Sequence, residues 1–381
     1  MAGELRHPDS TTLIKKNKAL RRTGSGPGRL LNFVDSARMS QVHREYALSN
    51  PVRPGAQPST AVLLVNLGTP QAPTTAAVRR YLAEFLSDPR VVELPRWLWW
   101  PILHGVILRV RPRRSAHAYA KIWTAAGSPL LAFSQALTAK LAGAIGSEAQ
   151  IELAMRYGEP SVRSVLSRLL GRGIRRILVL PLYPQYAAAT TASVSDAISH
   201  AMKTTRWLPE LRFVNDYHDD PLYIEALAQS VDAYRQQHGS ASRLLLSFHG
   251  LPQSCVDAGD PYFDQCRSTA ALLRTRLSLG ADEIEVGFQS RVGVQKWLTP
   301  YTEELLTRWP AEGIRDIQVL CPGFAVDCLE TLEEIALRDR DLFLAAGGKS
   351  LAYIPALNDT EAHVRLLTAL VRRHTQGWSV A

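Results

Sequence analysis

The residues best suited to chemistry lie in two short segments in the second half of the chain. His249 follows the apolar run 244–246, where a buried strand is predicted to end. Asp327, Glu330 and Glu334 follow a Cys-Pro-Gly-Phe segment at spacings that place side chains on one face of an α-helix. An imidazole facing a row of carboxylates can accept protons and bind a divalent metal ion. The two segments together predict a site at which protons and metal ions move.

Each segment alone also has an ordinary interpretation. A histidine at a strand end can be a hydrogen-bonded part of the core, and an acidic helix can be a solvated surface. These alternatives stay open for each segment, and their joint occurrence is what favours a site. Glu333 lies off the line of the other three carboxylates on an α-helix and is predicted to be solvated.

The elements that must position these residues alternate between strand and helix. The apolar run 61–65 is typical of a strand buried on both faces of a parallel sheet. Thr74 and Thr75 can cap a helix over about 76–86. Such alternation indicates right-handed βαβ units. Further strands are predicted at 151–155 and 177–180, and further helices at 161–170 and 192–203.

The second half of the chain repeats the first. Residues 63–70 match residues 245–252 in pattern, since each has an apolar run followed by a Gly-x-Pro turn. We therefore predict an α/β protein with two similar doubly wound, Rossmann-like domains on parallel sheets. Ligands of such sheets bind beyond the carboxyl ends of the strands, where His249 lies.

The predicted organisation has three parts and a returning helix. These are a disordered basic extension at 1–58, a first domain at 59–190 carrying an apolar lip, and a second domain at 191–357 carrying the metal site. A C-terminal helix at about 358–375 is expected to pack back on the first domain.

Charge and motifs restrict the classes of partner. The net charge of the 381 residues is +9, but residues 1–38 hold eight Lys or Arg against three Asp or Glu. The rest of the chain is only mildly basic, which argues against nucleic-acid binding by the folded part. Neither half carries a dinucleotide fingerprint or a phosphate loop, so no nucleotide cofactor is expected.

The cysteines and the hydropathy favour a cytoplasmic protein. The four cysteines are too few for a disulfide scaffold and lack zinc-ribbon spacing, so reduced thiols are predicted. A metal-binding role for Cys321 and Cys328, which flank the acidic segment, stays open. No apolar stretch is long enough to span a bilayer, and no secretory signal core is found. A cytoplasmic location, at most peripheral to the inner membrane, is therefore expected.

Residues 97–108, the Trp97–Leu108 lip, form an unusual apolar segment. Three tryptophans stand near its start, and four arginines lie at or just beyond its end. The pattern favours an apolar lip with a basic rim, although a buried helix is the alternative. A lip of this kind suits a flat hydrophobic ligand with acidic edges, or peripheral contact with a membrane.

In the order of its motifs the chain resembles the ferrochelatase family, whose members insert ferrous iron into a porphyrin to make haem. The resemblance runs from about residue 61 to the end of the chain. Its motifs are Val65-Asn66-Leu67-Gly68-Thr69-Pro70, Arg111 to Tyr119, Gly127 to Leu130, Met155 to Gly158, Leu182 to Tyr186, Ser247 to Pro252, Gly259 to Tyr262, Gln289 to Gly293, Lys296 to Pro300 and Cys321 to Glu334.

The resemblance implies roles for ten residues. It implies that His249 and Glu330 form the metal site, and that Asp327 and Glu334 continue the acidic row as catalytic residues. Position 328 is Cys here but often His in relatives, which leaves its role open. Six further residues match positions that line the porphyrin pocket or its mouth: Leu67, Arg111, Tyr119, Ser128, Arg156 and Trp297.

The resemblance also implies the reaction. It points to a lyase that inserts Fe²⁺, as substrate, into protoporphyrin IX to form protohaem, the last step of haem biosynthesis. No permanently bound cofactor is expected. An iron–sulfur cluster is not expected either, because the tail 375–381 lacks cysteine and residues 187–189 are alanines. By the same analogy, Leu67 in place of a tyrosine favours protoporphyrin over a more carboxylated ring.

Two alternatives to this function remain at the sequence level. One is a related chelatase that acts on coproporphyrin or inserts cobalt, and the other is a non-enzymatic porphyrin or haem carrier. The apolar lip argues against a highly polar tetrapyrrole. A carrier has no need of an acidic row opposite His249.

Overall fold

The computed structural model describes residues 59–293 and 295–378. The predicted N-terminal extension, residues 1–58, lies outside the described residues. Within these described residues, eight strands form two four-stranded sheets. The strands are β1 Thr60–Gly68, β2 Gln150–Tyr157, β3 Arg176–Pro181, β4 Glu210–Phe213, β5 Arg243–His249, β6 Ile284–Gln289, β7 Asp316–Leu320 and β8 Ser350–Ile354.

The two sheets have the same strand order. The first runs β2-β1-β3-β4 and the second β6-β5-β7-β8, and every neighbouring pair is parallel. The prediction of a duplicated α/β fold on parallel sheets is thus confirmed. β4 follows position 190, so the first sheet extends into the range that the sequence assigned to the second domain.

The central strand of each sheet is buried on both faces. In β1, Val62 and Leu64 pack in one core cluster, while Leu63 and Val65 pack in another. The central strand β5 divides its leucines between two clusters in the same way. Continuous apolar runs therefore follow from helices covering both faces of each sheet, as expected for doubly wound domains.

Helices connect the strands and begin near the predicted caps. Thr74 accepts a hydrogen bond from the backbone of Ala77 and caps the first helix, and Ser161 caps another in the same manner. The helices are Thr75–Phe85, Arg96–Ile102, Leu108–Ile122, Pro129–Ile145, Val162–Gly171, Ser193–Met202, Pro221–His238, Gln253–Asp257, Tyr262–Arg276, Thr302–Arg308, Arg340–Ala345 and Glu361–His374, with π-helical segments at Leu103–Ile107, Ala188–Ala192 and Glu330–Asp339.

The last helix returns to the first half of the chain. Glu361–His374 packs against Pro129–Ile145 of the first half and against Pro221–His238. Of the helices that the structure describes, none combines the length and apolar character needed to cross a membrane.

Candidate active site

His249 is the last residue of β5, at the carboxyl edge of the second sheet. Its side chain is exposed, and its Nδ1 lies 2.7 Å from the carbonyl oxygen of Gly250. Because a carbonyl oxygen can only accept, Nδ1 must carry the hydrogen of this bond. Neutral His249 therefore keeps its lone pair on Nε2, the nitrogen that can take a proton or bind a metal ion. The ring of Phe324 lies 6.4 Å away, centroid to centroid.

Gly250 lets the chain turn tightly behind His249. A Cβ atom on Gly250 would lie 2.7 Å from the carbonyl oxygen of Gln289 and 3.1 Å from Cε3 of Trp297. Only a glycine fits at such a close approach. Trp297 is buried and donates from its indole to the carbonyl of Val292 at 2.9 Å. The structure therefore places Trp297 directly beside the predicted metal site.

Gln289 connects the strand that carries His249 to the acidic helix. It ends β6 opposite His249 in the ladder and accepts a hydrogen bond from Ser247 at 2.8 Å. Its side-chain amide donates to the carbonyl oxygen of Glu330, also at 2.8 Å. Sequence reasoning assigned no role to Gln289, although its place at the end of a buried strand was a usable signal.

The acidic residues do not form the α-helical row that their spacing predicts. Glu330–Asp339 is a π helix, and Asp327 precedes it. The expectation that Asp327, Glu330 and Glu334 share one α-helical face is therefore wrong. π segments are rare and occur frequently at functional sites.

The carboxylate of Asp327 accepts hydrogen bonds from neighbouring side chains. The residue is buried, and its carboxylate accepts from Thr331 at 2.9 Å, Tyr353 at 2.6 Å and Asn358 at 2.7 Å. The backbone N–H of Asp327 in turn donates to the side chain of Asn358. With its oxygens engaged in this way, Asp327 fixes the segment that leads into the π helix.

Glu334 lies on the π helix near both members of the predicted metal pair. Its carboxylate accepts from the backbone and the hydroxyl of Ser290, at 2.8 Å and 2.7 Å, and pairs with Arg338 at 2.8 Å. Burial raises the pKa of Glu334, and the charge of Glu330 acts in the same direction. Arg338, the Ser290 hydroxyl and His249 oppose this shift.

Glu333 is buried, so the prediction that it is solvated is wrong. Its carboxylate lies 2.8 Å from Nζ of Lys121, on the helix Leu108–Ile122 of the first half. The pair joins the two halves of the molecule behind the acidic helix. Lys121 was not singled out from the sequence, because nothing local connects residues so far apart.

A small cavity brings together four of the predicted site residues. Leu67, Tyr119, Ser128 and Glu330 are among the residues that line it. Ser128 is held there by a hydrogen bond of 2.8 Å from the Thr69 hydroxyl. The cavity thus lies between the end of β1 and the first residue of the π helix.

Electrostatics connect this cavity to the acidic helix. Burial, followed by the charge of Glu330, raises the pKa of Tyr119 well above its usual value. The charge of Arg111 lowers the pKa of the same phenol, which places Arg111 close to the cavity. Tyr119 therefore stays neutral and can donate a hydrogen bond at any physiological pH.

Arg156 is bound within a buried polar network. Its guanidinium pairs with Asp88 and donates from Nε to the Ser193 hydroxyl at 2.6 Å. The Tyr157 hydroxyl donates to Asp88 at 2.8 Å. Arg156 thus holds the carboxyl end of β2 to neighbouring elements.

The Trp97–Leu108 lip is largely exposed. The side chains of Trp97 and Val106 are 79% and 56% exposed, whereas Trp99 donates its indole N–H to the carbonyl of Leu86 at 2.7 Å. Leu103 and Leu108 anchor the lip in the core. Exposed apolar surface of this extent, beside exposed arginines, is the pattern of an interaction site rather than a core helix.

The arrangement can move protons and hold a divalent ion. His249 keeps a lone pair on Nε2 at the end of β5, and Gln289 at the end of β6 connects it to Glu330 on the π helix, which also carries Glu334. The neutral phenol of Tyr119 lines the cavity beside Glu330. The predicted residues His249, Glu330, Glu334, Tyr119 and Trp297 belong to this region. Asp327 and Arg156 are engaged elsewhere by their own partners.

Known proteins carry the same sequence pattern. The family model described as Ferrochelatase matches residues 59–375. A ferrochelatase from Methylococcus capsulatus (strain Bath) is 57% identical over 312 residues, covering 82% of this chain and 95% of that protein. A ferrochelatase from Nitrosococcus oceani is 54% identical over 324 residues, covering 84% and 88%. One from Bordetella pertussis is 52% identical over 331 residues, covering 86% and 91%.

A solved structure shares the fold. The sirohydrochlorin chelatase SirB from Bacillus subtilis subspecies spizizenii, solved in complex with cobalt, has a TM-score of 0.51 and 11% identity, covering 84% of this chain and 97% of that chain. This likeness concerns the fold alone. The match of the family model over most of the chain, with relatives above half identity, confirms the resemblance found in the sequence. The chain belongs to the ferrochelatase family.

Proposed function

We propose that the protein is a lyase that inserts ferrous iron into protoporphyrin IX to form protohaem, the terminal step of haem biosynthesis. The observation that carries the proposal is the connection made by Gln289, which pairs with His249 across the sheet and donates a hydrogen bond to the carbonyl oxygen of Glu330, the first residue of the π helix. Membership of the ferrochelatase family supports the same reaction. Iron is the substrate, and we propose no permanently bound cofactor and no iron–sulfur cluster.

The reaction exchanges two pyrrole protons for one divalent ion. His249 is the proposed acceptor of a pyrrole proton, because the bond from Nδ1 to Gly250 leaves the lone pair on Nε2. Glu330 is the proposed partner that binds the iron with His249, since carboxylate and imidazole are both ligands for Fe²⁺. Glu334 is the proposed group that next accepts the proton from His249, because burial raises the pKa of its carboxyl and so favours the protonated form. Asp327 holds the segment that positions Glu330.

The porphyrin-facing residues supply walls and polar anchors. Leu67 and the Trp297 ring provide apolar surface on the two sides of the proposed site. Tyr119 and Ser128 offer hydroxyl groups at the cavity, and Arg111 is the proposed partner of a propionate. A rigid pocket of this kind spends binding energy on bending the ring, which exposes the nitrogen lone pairs.

Anaerobic incubation with ferrous iron and protoporphyrin IX tests the function. The expected result is conversion of the visible spectrum of free-base protoporphyrin to that of protohaem. The rate of this conversion should rise with the concentration of the protein and with the concentration of ferrous iron. Coproporphyrin and Co²⁺ serve as competing substrates in the same assay. A protein that binds protoporphyrin but never changes its spectrum would be a carrier, and the proposed reaction would be wrong.

We further propose that the protein works in the cytoplasm, in peripheral contact with the inner membrane through the Trp97–Leu108 lip. The exposed tryptophans and the exposed arginines that follow them suit an anionic lipid surface. Four free thiols fit a reducing compartment.

Flotation on anionic vesicles tests the membrane contact. Trp97→Glu with Trp100→Glu should reduce the vesicle-bound fraction, because both side chains are exposed and their loss removes apolar surface. Trp207→Glu is the matched control, since this residue is also half exposed but lies outside the lip. If the wild-type protein, the double variant and the control bind the vesicles equally, the lip is not the membrane contact.

A further inference from the structure

Gln289 is a buried glutamine between the two proposed metal ligands, and the proposed mechanism gives it no chemical step. It is the last residue of β6 and pairs with His249, the last residue of β5. Gln289 is 2% exposed, so its polar groups must find partners inside the protein. Those partners show what the residue holds in place.

The backbone of Gln289 holds the turn that orients His249. Its carbonyl oxygen accepts a hydrogen bond from the N–H of Gly250 at 2.8 Å. The carbonyl oxygen of Gly250 in turn accepts from Nδ1 of His249 at 2.7 Å. Both backbone polar groups of Gly250 are therefore engaged, and the imidazole is fixed relative to Gln289 through this single residue.

The side-chain amide of Gln289 holds the start of the π helix. Its Nε2 donates to the carbonyl oxygen of Glu330 at 2.8 Å. Its Oε1 accepts from the Ser247 hydroxyl at 2.8 Å, and the Cys321 thiol lies 3.6 Å from the same oxygen. Because a carbonyl oxygen can only accept, the bond to Glu330 identifies which end of the amide is the nitrogen. One side chain thus joins the ends of three strands to the first residue of the helix.

The hydrogen bonds through Gln289 form a chain with one direction. The Ser247 hydroxyl has one hydrogen, which it gives to Gln289, so the Thr302 hydroxyl 2.8 Å away must donate to Ser247. Ser247 and Thr302 are fully buried. Hydrogen bonds in a buried chain of this kind polarise and strengthen one another. We therefore expect the contact between Gln289 and Glu330 to be rigid.

A fixed spacing between two ligands bears on which metal ion they accept. Imidazole and carboxylate donors bind Co²⁺ and Zn²⁺ more tightly than Fe²⁺ when affinity alone decides. Proteins therefore select among these ions by geometry. A pair of ligands that is held at one spacing can favour the ion whose bond lengths and angles fit that spacing.

We propose that Gln289 is a positioning residue that sets the spacing of His249 and Glu330 and thereby the choice of metal ion, a proposal that rests on the proposed function. The backbone of Gln289 fixes the imidazole, and its side chain fixes the main chain of the glutamate. Without that side chain Glu330 can move relative to His249, and the pair loses its preference for Fe²⁺. Gln289 itself neither binds the metal ion nor transfers a proton.

Gln289→Met is the central test, because methionine keeps the length of the side chain and removes both of its polar ends. The assay compares Fe²⁺, Co²⁺ and Zn²⁺ under anaerobic conditions with protoporphyrin IX. We expect the ratio of kcat/KM for Fe²⁺ to that for Co²⁺ or Zn²⁺ to fall on the order of tenfold. The KM for protoporphyrin should stay unchanged, because no porphyrin-facing residue is altered.

Gln318→Met is the matched control. Gln318 is also buried in a strand, and its side-chain amide also donates to a backbone carbonyl, that of Gly239, at 2.8 Å. It pairs with Leu244, near the start of β5, whereas His249 ends that strand. Both variants should lower the melting temperature, but only Gln289→Met should change the ratios between metal ions.

Ser247→Ala gives a second, milder test. It removes the hydroxyl that anchors the Gln289 amide to β5 and should shift the metal ratios in the same direction by less. If Gln289→Met does not fold, unchanged ratios in Ser247→Ala would overturn the proposal. Equal losses with all three ions in Gln289→Met would overturn it as well, because they would mean that Gln289 matters only for stability. A wild-type protein that inserts none of the three ions would instead remove the proposed function, and the role of Gln289 with it.

Discussion

At the scale of single residues, His249 owes its proposed role to its immediate neighbours. The carbonyl of Gly250 fixes the tautomer from one side, and the backbone carbonyl of His249 itself accepts from the Tyr262 hydroxyl at 3.0 Å. The imidazole is therefore oriented before any ligand arrives. A base that is already held in position lowers the activation free energy more than a flexible base that must first be oriented.

Replacement of His249 should separate chemistry from binding. His249→Ala should lower iron insertion on the order of 10²- to 10⁴-fold, because it removes the proposed base and ligand. Porphyrin affinity, measured by fluorescence quenching, should change little. His117→Ala, at an exposed histidine of the helix Leu108–Ile122, is the control. Substantial turnover in the His249 variant would exclude the proposed base.

The two neighbouring glutamates should respond differently to the same change. Glu330→Gln should nearly eliminate kcat, whereas Glu333→Gln should keep kcat within a few-fold. Glu333→Gln should instead lower the melting temperature, because Lys121 loses a partly buried partner 2.8 Å away. Lys121→Gln should give the same thermal shift, and the double variant should add little to it. The reverse ranking of kcat would place the site on the Glu333 side of the helix.

Position and residue type sufficed to single out His249 and Glu330 from the sequence. The partners that hold them could not be found in that way. Gln289 reaches the Glu330 carbonyl across 41 positions, and Lys121 reaches Glu333 across 212. Contacts of this kind depend on how the helices and strands pack against one another, and a local pattern of residue types in the sequence does not predict that packing.

At the scale of elements, the π helix is what sequence reasoning missed. The strands, caps and parallel order followed from apolar runs and Thr or Ser caps, and the structure has them. The acidic row was interpreted with an α-helical period, but Asp327 precedes the helix and the helix is π, and Glu333, which was predicted to be solvated, is buried. Periodicity cannot distinguish a π turn, because that turn depends on tertiary contacts rather than on residue preference.

Asp327 should prove more important for stability than for chemistry. Asp327→Asn replaces an acceptor with a donor opposite the Asn358 amide and weakens the bonds from Thr331 and Tyr353. The free energy of unfolding should fall by about 1–3 kcal/mol, measured by urea denaturation. Assayed well below the new midpoint, kcat should fall less than for Glu330→Gln. A stable variant without activity would restore Asp327 to the catalytic group.

The same helix should make stability depend on pH. The pKa of Asp339 rises from 3.8 to about 8 on folding, so the folded protein holds a proton there that the unfolded chain has lost. Between about pH 4 and about pH 8 the free energy of unfolding should therefore fall as pH rises. Asp339→Asn removes this contribution, so its stability relative to wild type should increase across that window. Parallel curves for the two proteins in urea denaturation would contradict the raised pKa.

At the scale of the whole molecule, contacts between elements of the two halves hold the proposed site together. The Lys121–Glu333 pair and the helix Glu361–His374, which packs on Pro129–Ile145, both connect elements from different halves. Such contacts fix the distance between the edges of the two sheets. A site assembled from both edges thereby gains rigidity that neither half has alone.

The duplicated sheets carry one further consequence. Gly68 and Gly250 are counterparts: a Cβ atom on Gly68 would lie 1.8 Å from the carbonyl oxygen of Tyr157, and one on Gly250 would lie 2.7 Å from that of Gln289. The residues before them, Leu67 and His249, therefore occupy corresponding places in the two halves. One half has an aliphatic side chain where the other has an imidazole. The two related sheets thus present chemically unlike groups to the one proposed site, and the duplication of the fold does not make the site symmetrical.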